Sequence, residues 1–155
     1  MTAVWVVLSG LALLVGGWHL FEHFWNRRLF RCDSPEDFVA NVRARKALGL
    51  WRETPDLIVL DVRPEWGWRV ARLPGAVNAP FAMGGEGFEV ASLDGLSRDQ
   101  PVLVYCDGGF RSRLALPALR EAGFRRIHHL HRGILSWKAA GGETRGGDGR
   151  ADPGS

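Results

Sequence analysis

The stretch Pro101-Val102-Leu103-Val104-Tyr105-Cys106-Asp107-Gly108-Gly109-Phe110-Arg111-Ser112 decides how this chain folds. Its first half is apolar at every position, as in a strand covered on both faces of a parallel sheet. Residues 111–122 then have helical composition, with Gly123 as the C-cap and Pro117 as a bend. A strand, a glycine-rich loop and a helix therefore follow each other within about one βα unit. Outward from this centre, Leu57-Ile58-Val59-Leu60 reads as a second buried strand stopped by Asp61. Ala76-Val77-Asn78-Ala79 reads as a short strand after the turn Leu73-Pro74-Gly75, and Ile127-His128-His129-Leu130 as another strand. Ser34-Pro35-Glu36-Asp37 has the form of a helix start, and Phe38, Val39, Val42 and Leu48 continue it at helical spacing. Residues 51–56 and 83–87 read as loops, 94–100 as a short helix and turn, and 133–140 as a last helix carrying Trp137. Strands alternating with helices predict an α/β fold, a parallel sheet with helices on both faces. Ligand sites of such sheets lie beyond the carboxyl ends of the strands, where Asp61 and Cys106 both stand.

The 155 residues are enough for one domain with appendages, and the formal net charge is only +3. The arginines are scattered, with no basic stripe interleaved with aromatics, so no nucleic-acid partner is expected. Two cysteines, Cys32 and Cys106, do not make a disulfide framework and suit a reducing compartment. The expected organisation is a membrane anchor at 1–25, a juxtamembrane linker at 26–33, a folded domain at 34–142 and a disordered tail at 143–155.

Residues 3–21 are apolar apart from Ser9, three glycines and His19, close to the roughly 20 residues that span a bilayer core. Trp5 near one end and Trp18 and Trp25 near the other resemble an aromatic belt. No basic residue precedes the run, and its end is bulky, unlike a cleaved signal peptide. Arg27, Arg28 and Arg31 follow, which predicts a single pass with the soluble domain facing the cytoplasm. Ala12 and Gly16 form a small-xxx-small pair, but the oligomeric state is not fixed by it. Cys32, beside the membrane, reads as an acylated or a plain spectator thiol.

A cysteine between a strand and a helix sits where unpaired N–H groups and a partial positive charge favour an anion. Gly108 and Gly109 let the backbone curl so that successive amides point inward, forming a nest around the sulfur. Cys106 is therefore the expected nucleophile, and Arg111 a planar fork of donors for a charged group. Ser112 is expected either to cap the helix or to donate to the sulfur. Asp107, Gly108, Gly109 and Phe110 are the loop residues expected to face a bound substrate, and the Asp107 carboxylate is expected to repel small anions.

Cys106-x-x-Gly109-x-Arg111-Ser112 after Val102-Leu103-Val104-Tyr105 resembles the active-site loop of rhodanese-like sulfurtransferases. Leu60-Asp61-Val62-Arg63 resembles an early segment of that family, which makes Asp61 and Arg63 supporting residues. Leu73-Pro74-Gly75-Ala76-Val77-Asn78 resembles a second, and Ala122-Gly123-Phe124 with Gly133, Trp137 and Gly141 a third. Where the family often has a histidine this chain has Arg72, and where it often has an acid and an aromatic it has Gly67 and Trp68, with Glu65 nearby. An anchor before one such domain resembles bacterial membrane-associated members. The resemblance implies a rhodanese-like fold and a sulfurtransferase that takes sulfane sulfur from thiosulfate or a persulfide onto Cys106 and gives it to a thiol or other thiophilic acceptor. It implies no metal and no organic cofactor. Cysteine phosphatases of the dual-specificity cell-cycle type share the fold but use a loop one residue longer than the six residues from Cys106 to Arg111. A reading from another class is a catalytically weak docking module that binds a membrane partner.

Overall fold

The computed structural model describes residues 2–146 apart from 86 and 89. A long helix α1 (Thr2–Leu29) leads into a hairpin of β1 (Cys32–Ser34) and β2 (Asp37–Val42). There follow α2 (Ala44–Glu53), β3 (Ile58–Asp61), α3 (Glu65–Val70), β4 (Ala76–Asn78) and a small hairpin of β5 (Phe81–Ala82) and β6 (Gly87–Phe88). After a 3-10 turn (Val90–Leu93) come β7 (Val102–Tyr105), α4 (Phe110–Glu121), β8 (Arg126–Leu130) and α5 (Gly133–Ala139).

The main sheet has the order β1-β2-β8-β7-β3-β4. Only the β1–β2 pair is antiparallel; every other pair is parallel. This is the α/β sheet that the alternation of strands and helices predicts. Successive strand residues point to opposite faces, and they divide the core in two. Val102 and Val104 join Leu60 and Ile127 beneath α4 through Ala115, Leu116 and Leu119. Leu103 and Tyr105 join Val59, Val42 and Leu130 beneath α2 and α5 through Ala47, Leu48, Ile134 and Trp137. Covering β7 on both sides is why its four residues are all apolar.

The structure corrects the expected helix start at Ser34. Ser34 Oγ instead accepts the Glu36 amide at 3.2 Å, a local turn of the hairpin. Residues 37–42 are the strand β2, paired in parallel with β8 from Phe38 opposite Arg126 to Val42 opposite Leu130. Val39 and Val42, three apart, do not share a face: Val39 belongs to the α4 side and Val42 to the other. The helix follows as α2 and takes in residues 51–53, which were expected in a loop. The helical turn expected within 94–100 lies earlier, at Val90–Leu93, and α3 was not expected at all.

Residues expected to begin the tail are engaged with the domain. Arg72 and Arg145 exchange backbone hydrogen bonds at 2.7 and 2.8 Å, and Trp137 Nε1 donates to the Glu143 carbonyl at 2.7 Å. The rest of that tail, 147–155, lies outside the described residues. At the other end, Val4–Leu29 is long and apolar enough to cross a membrane, and its apolar window is exposed throughout.

Candidate active site

Cys106 follows the last residue of β7, at the carboxyl end of the sheet, and is buried. Three donors converge on its sulfur: the Gly109 amide at 3.2 Å, the Ser112 amide at 3.4 Å and the Ser112 hydroxyl at 3.4 Å. Backbone amides fixed at a helix start need no reorganisation to face an anion, so the arrangement suits a negatively charged sulfur. Ser112 thus donates to the sulfur; the N-cap position of α4 belongs to Gly109.

The loop reaches this shape through glycines at close approaches. Gly109 has φ +91, and a Cβ there would meet the Arg132 amide nitrogen at 3.0 Å. Gly133, with φ +53, abuts the loop still more closely: a Cβ would fall 2.0 Å from the Cys106 carbonyl oxygen and 2.5 Å from that of Asp107. This contact lets the Ile134 amide donate to Cys106 O at 2.8 Å and the Leu135 amide to Asp107 O at 3.3 Å. The start of α5 therefore clamps the outside of the loop while α4 lines its inside.

Behind the sulfur lies a polar chain that the sequence reading missed. His129, on β8, is buried, with Nε2 3.0 Å from both Ser112 Oγ and the Gly109 carbonyl oxygen. Its Nδ1 lies 3.0 Å from Asn41 Oδ1 on β2. Burial is the main cause that holds the His129 imidazole down to about 4; the bond to the Gly109 carbonyl opposes it, while His131 and Arg113 reinforce it. The ring is therefore neutral at ordinary pH. A period-two reading of Ile127-His128-His129-Leu130 places His129 on the same face as Ile127, under α4. A polar residue on a buried face at a strand's carboxyl end was the available signal.

Asp61 and Arg63 form a buried pair. Arg63 Nη2 meets Asp61 Oδ2 at 2.7 Å, Nε bonds both Asp61 oxygens, and the guanidinium also donates to the Ala71 carbonyl. Arg63 Nη1 then reaches Asp107 Oδ1 at 3.1 Å, tying the end of β3 to the active loop. Two carboxylates share one guanidinium, so the triad carries one formal negative charge, with Asp107 adjacent to Cys106. Burial opposes the Arg63 charge, but the bonds to Asp61 and Asp107 outweigh it and push the guanidinium pKa up. Glu65 does not join this pair; it bonds Arg69 one turn on. Arg72 is buried with its guanidinium 4.4 Å from the centre of the Trp68 ring.

Arg111 makes no hydrogen bond to the sulfur. Its Nε is buried without a partner among the described residues. The side chain lines a cleft with Pro64, Pro80, Phe81, Met83 and Phe88. A buried donor left unpaired is costly unless a ligand takes it. Phe110 and Gly108 are exposed on the rim, with Asp107. All of the expected site residues thus gather at one end of the sheet.

Comparison with known proteins bears directly on this loop. A Mycobacterium tuberculosis protein named HTH-type transcriptional regulator Rv0324 is 32% identical over 70% of this chain and 44% of its own length. Another protein of that organism, named probable adenylyltransferase/sulfurtransferase MoeZ, is 35% identical over 52% of this chain and 20% of its own length. The chain thus spans less than half the length of these curated relatives. Among solved structures, the rhodanese-like domain of the Anabaena Alr3790 protein superposes with a TM-score of 0.60 at 27% identity, covering 74% of this chain and 85% of that one. A thiosulfate sulfurtransferase from Pseudomonas aeruginosa gives 0.59 at 25% identity, over 72% of this chain and 21% of that one. Residues 44–140 match the rhodanese-like domain family, and with the Cys106 loop at the carboxyl end of its parallel sheet this chain belongs to that family.

Proposed function

We propose that this chain is a membrane-anchored sulfurtransferase that carries sulfane sulfur as a Cys106 persulfide. The observation that carries the reading is the convergence of the Gly109 amide, the Ser112 amide and the Ser112 hydroxyl on Cys106 Sγ. In the first half-reaction the Cys106 thiolate attacks the outer sulfur of thiosulfate or of a persulfide. A new S–S bond forms at Cys106, the donor's S–S bond breaks, and sulfite or a thiolate leaves with the electron pair. In the second, an acceptor thiolate attacks the outer sulfur and Cys106 leaves as thiolate. This is covalent catalysis in two steps, so ping-pong kinetics are expected. Asp107, Gly108, Gly109, Phe110 and Ser112 line the substrate side, and the unpaired Arg111 Nε is the donor available to a charged leaving group. The exposed Asp107 carboxylate next to Cys106 disfavours the dianion thiosulfate relative to a persulfide carried on a protein. Val4–Leu29 anchors the domain, and Arg27, Arg28 and Arg31 place it on the cytoplasmic side.

The test is a mass spectrum of the full chain in detergent after exposure to thiosulfate or to glutathione persulfide. A gain of one sulfur atom on Cys106, absent in Cys106→Ser, is the expected result. No gain with either donor sinks the enzyme reading and leaves the docking module.

A further inference from the structure

The N-terminal helix is not simply tethered to the domain; it is docked along α4. Arg113 Nη2 lies 3.6 Å from Glu22 Oε1, and Arg113 Nη1 donates to Asn26 Oδ1 at 3.3 Å. Further along, Arg28 and Leu29 share a cleft with Leu116, Pro117 and Arg120. Leu29 and Phe30 then pack against the core. Residue numbers rise together along this seam, so α1 and α4 run side by side in the same direction.

That direction fixes where the apolar part of α1 goes. The first residue of α4 is Phe110, at the end of the Cys106 loop. Everything in α1 before Glu22 therefore continues past the start of α4, on the loop's side. At a common helical rise of ~1.5 Å per residue, stepping back from Arg113 to Phe110 matches stepping back from Glu22 to His19. The loop thus stands level with the last residues of the apolar run 3–21. Glu22 and Asn26 indeed line one cleft together with Gly108, Gly109 and Phe110.

The surface around the loop has a matching character. Outside α1, Trp66 is 70%, Leu135 63%, Phe110 61% and Met83 53% exposed. Leu135 shares a cleft with Gly108, Arg45 and Arg132, and Met83 shares one with Arg111. Trp66 lies on α3, which follows the carboxyl end of β3. Phe110, Leu135 and Met83, with Arg45, Arg111 and Arg132, thus line clefts around the loop, and Trp66 stands exposed on the helix that follows the carboxyl end of β3. The cleft at the opposite end of the sheet is lined by Ser34, Glu36, Asp37, Arg98, Asp99, Arg125 and Arg126, with no apolar side chain among the described residues.

We propose that the carboxyl end of the sheet, with the Cys106 loop at its centre, lies against the surface of the membrane that α1 enters. Sulfur then passes to and from Cys106 at the lipid–water interface. Trp66 suits the headgroup region, where amphipathic rings gather, Phe110 suits the acyl chains just below it, and Arg45 and Arg132 suit anionic headgroups. The proposal rests on reading α1 as the anchor, and it names the interface as the place where donor or acceptor is met.

Nitroxide scanning of the full chain tests it. Single labels are placed through Met83→Cys, Leu135→Cys and, at the far end, Asp99→Cys, in a Cys32→Ser and Cys106→Ser background. The protein is reconstituted into vesicles of phosphatidylethanolamine and phosphatidylglycerol, and collision rates with oxygen and with a soluble nickel chelate are compared. The expected oxygen-to-nickel ratio is several-fold higher at 83 and 135 than at 99. Equal, water-like ratios at all three positions in a chain that floats with the vesicles overturn the proposal, and the apolar rim then faces a soluble protein instead. A chain that fails to float overturns the anchor and the proposal together. Neither readout needs a sulfur donor, so the sulfurtransferase reading stands or falls separately.

Discussion

At the amino end of the sheet the polar groups are matched to each other, whereas at the carboxyl end paired groups surround a set of donors turned to one sulfur and one left unpaired. Arg98 shows the first pattern: Nε donates to the Ala122 carbonyl at 2.9 Å, Nη1 to Leu93 and Leu96 at 3.0 and 2.7 Å, and the guanidinium lies 4.3 Å from the Phe124 ring centre. Arg120 pairs with Asp37, and Arg126 bonds the Asp99 carbonyl. At the carboxyl end two amides and a hydroxyl converge on one sulfur, and Arg111 Nε has no partner among the described residues. One end closes the fold. The other holds its donors in place for a ligand, as a preorganised site must.

The comparison breaks first at Gly133. Gly133→Ala forces a Cβ into the Cys106 and Asp107 carbonyls at a positive φ. The loop must move, and a displacement of that kind costs roughly 100-fold in rate. Sulfur-transfer kcat/KM should fall by about that factor in protein that still folds; an unchanged value would show that the α5 clamp is irrelevant to the loop. At the amino end, Arg98→Ala should act oppositely, lowering stability by about 1–3 kcal/mol through orphaned carbonyls. Denaturant melts and kcat/KM per folded molecule separate the two: a drop in kcat/KM would mean that the ends are coupled.

Acid should weaken the fold through His129, buried behind the site, and His128, half-buried on the opposite face of β8. Burial lowers both His129 and His128 from the ordinary 6.5 to about 4. Between those values the unfolded chain binds protons that the folded chain refuses, so their contribution to stability is intact above about 6.5 and is lost as pH falls toward 4. Melting temperature followed across this range should drop more steeply in the wild type than in His129→Asn. Equal slopes would remove His129 from the account. The smallest effect is expected at Arg132, the one non-glycine residue with positive φ among those described, at 59°. Arg132→Gly relieves a left-handed conformation and should raise stability by about 1 kcal/mol, read from the shift in denaturation midpoint.

Much of the site was legible because it is local. The Cys106 loop is one contiguous segment whose glycines, helix start and flanking buried strand all follow from short-range stereochemistry. The same holds for β3, β4, β7, α4 and α5, where apolar runs and turn residues have one reading each. Residues 37–42 do not: Val39 and Val42 fit a helix face as well as alternate sides of a strand, and only pairing with β8 chooses between them. α3 is short, glycine-containing and exposed on much of its surface, so it gives no periodic signal.

By itself the sequence determined the Cys106 loop between its strand and helix, the parallel α/β class and the apolar helix ahead of the domain. Tertiary structure alone brought His129 and Asn41 behind Ser112, joined Arg63 to Asp107 across 44 residues, set Gly133 against the Cys106 carbonyl and laid α1 along α4. The reason is range. Backbone conformation and burial patterns are encoded within a few residues. The partner of a polar side chain is set by which distant strands and helices become neighbours.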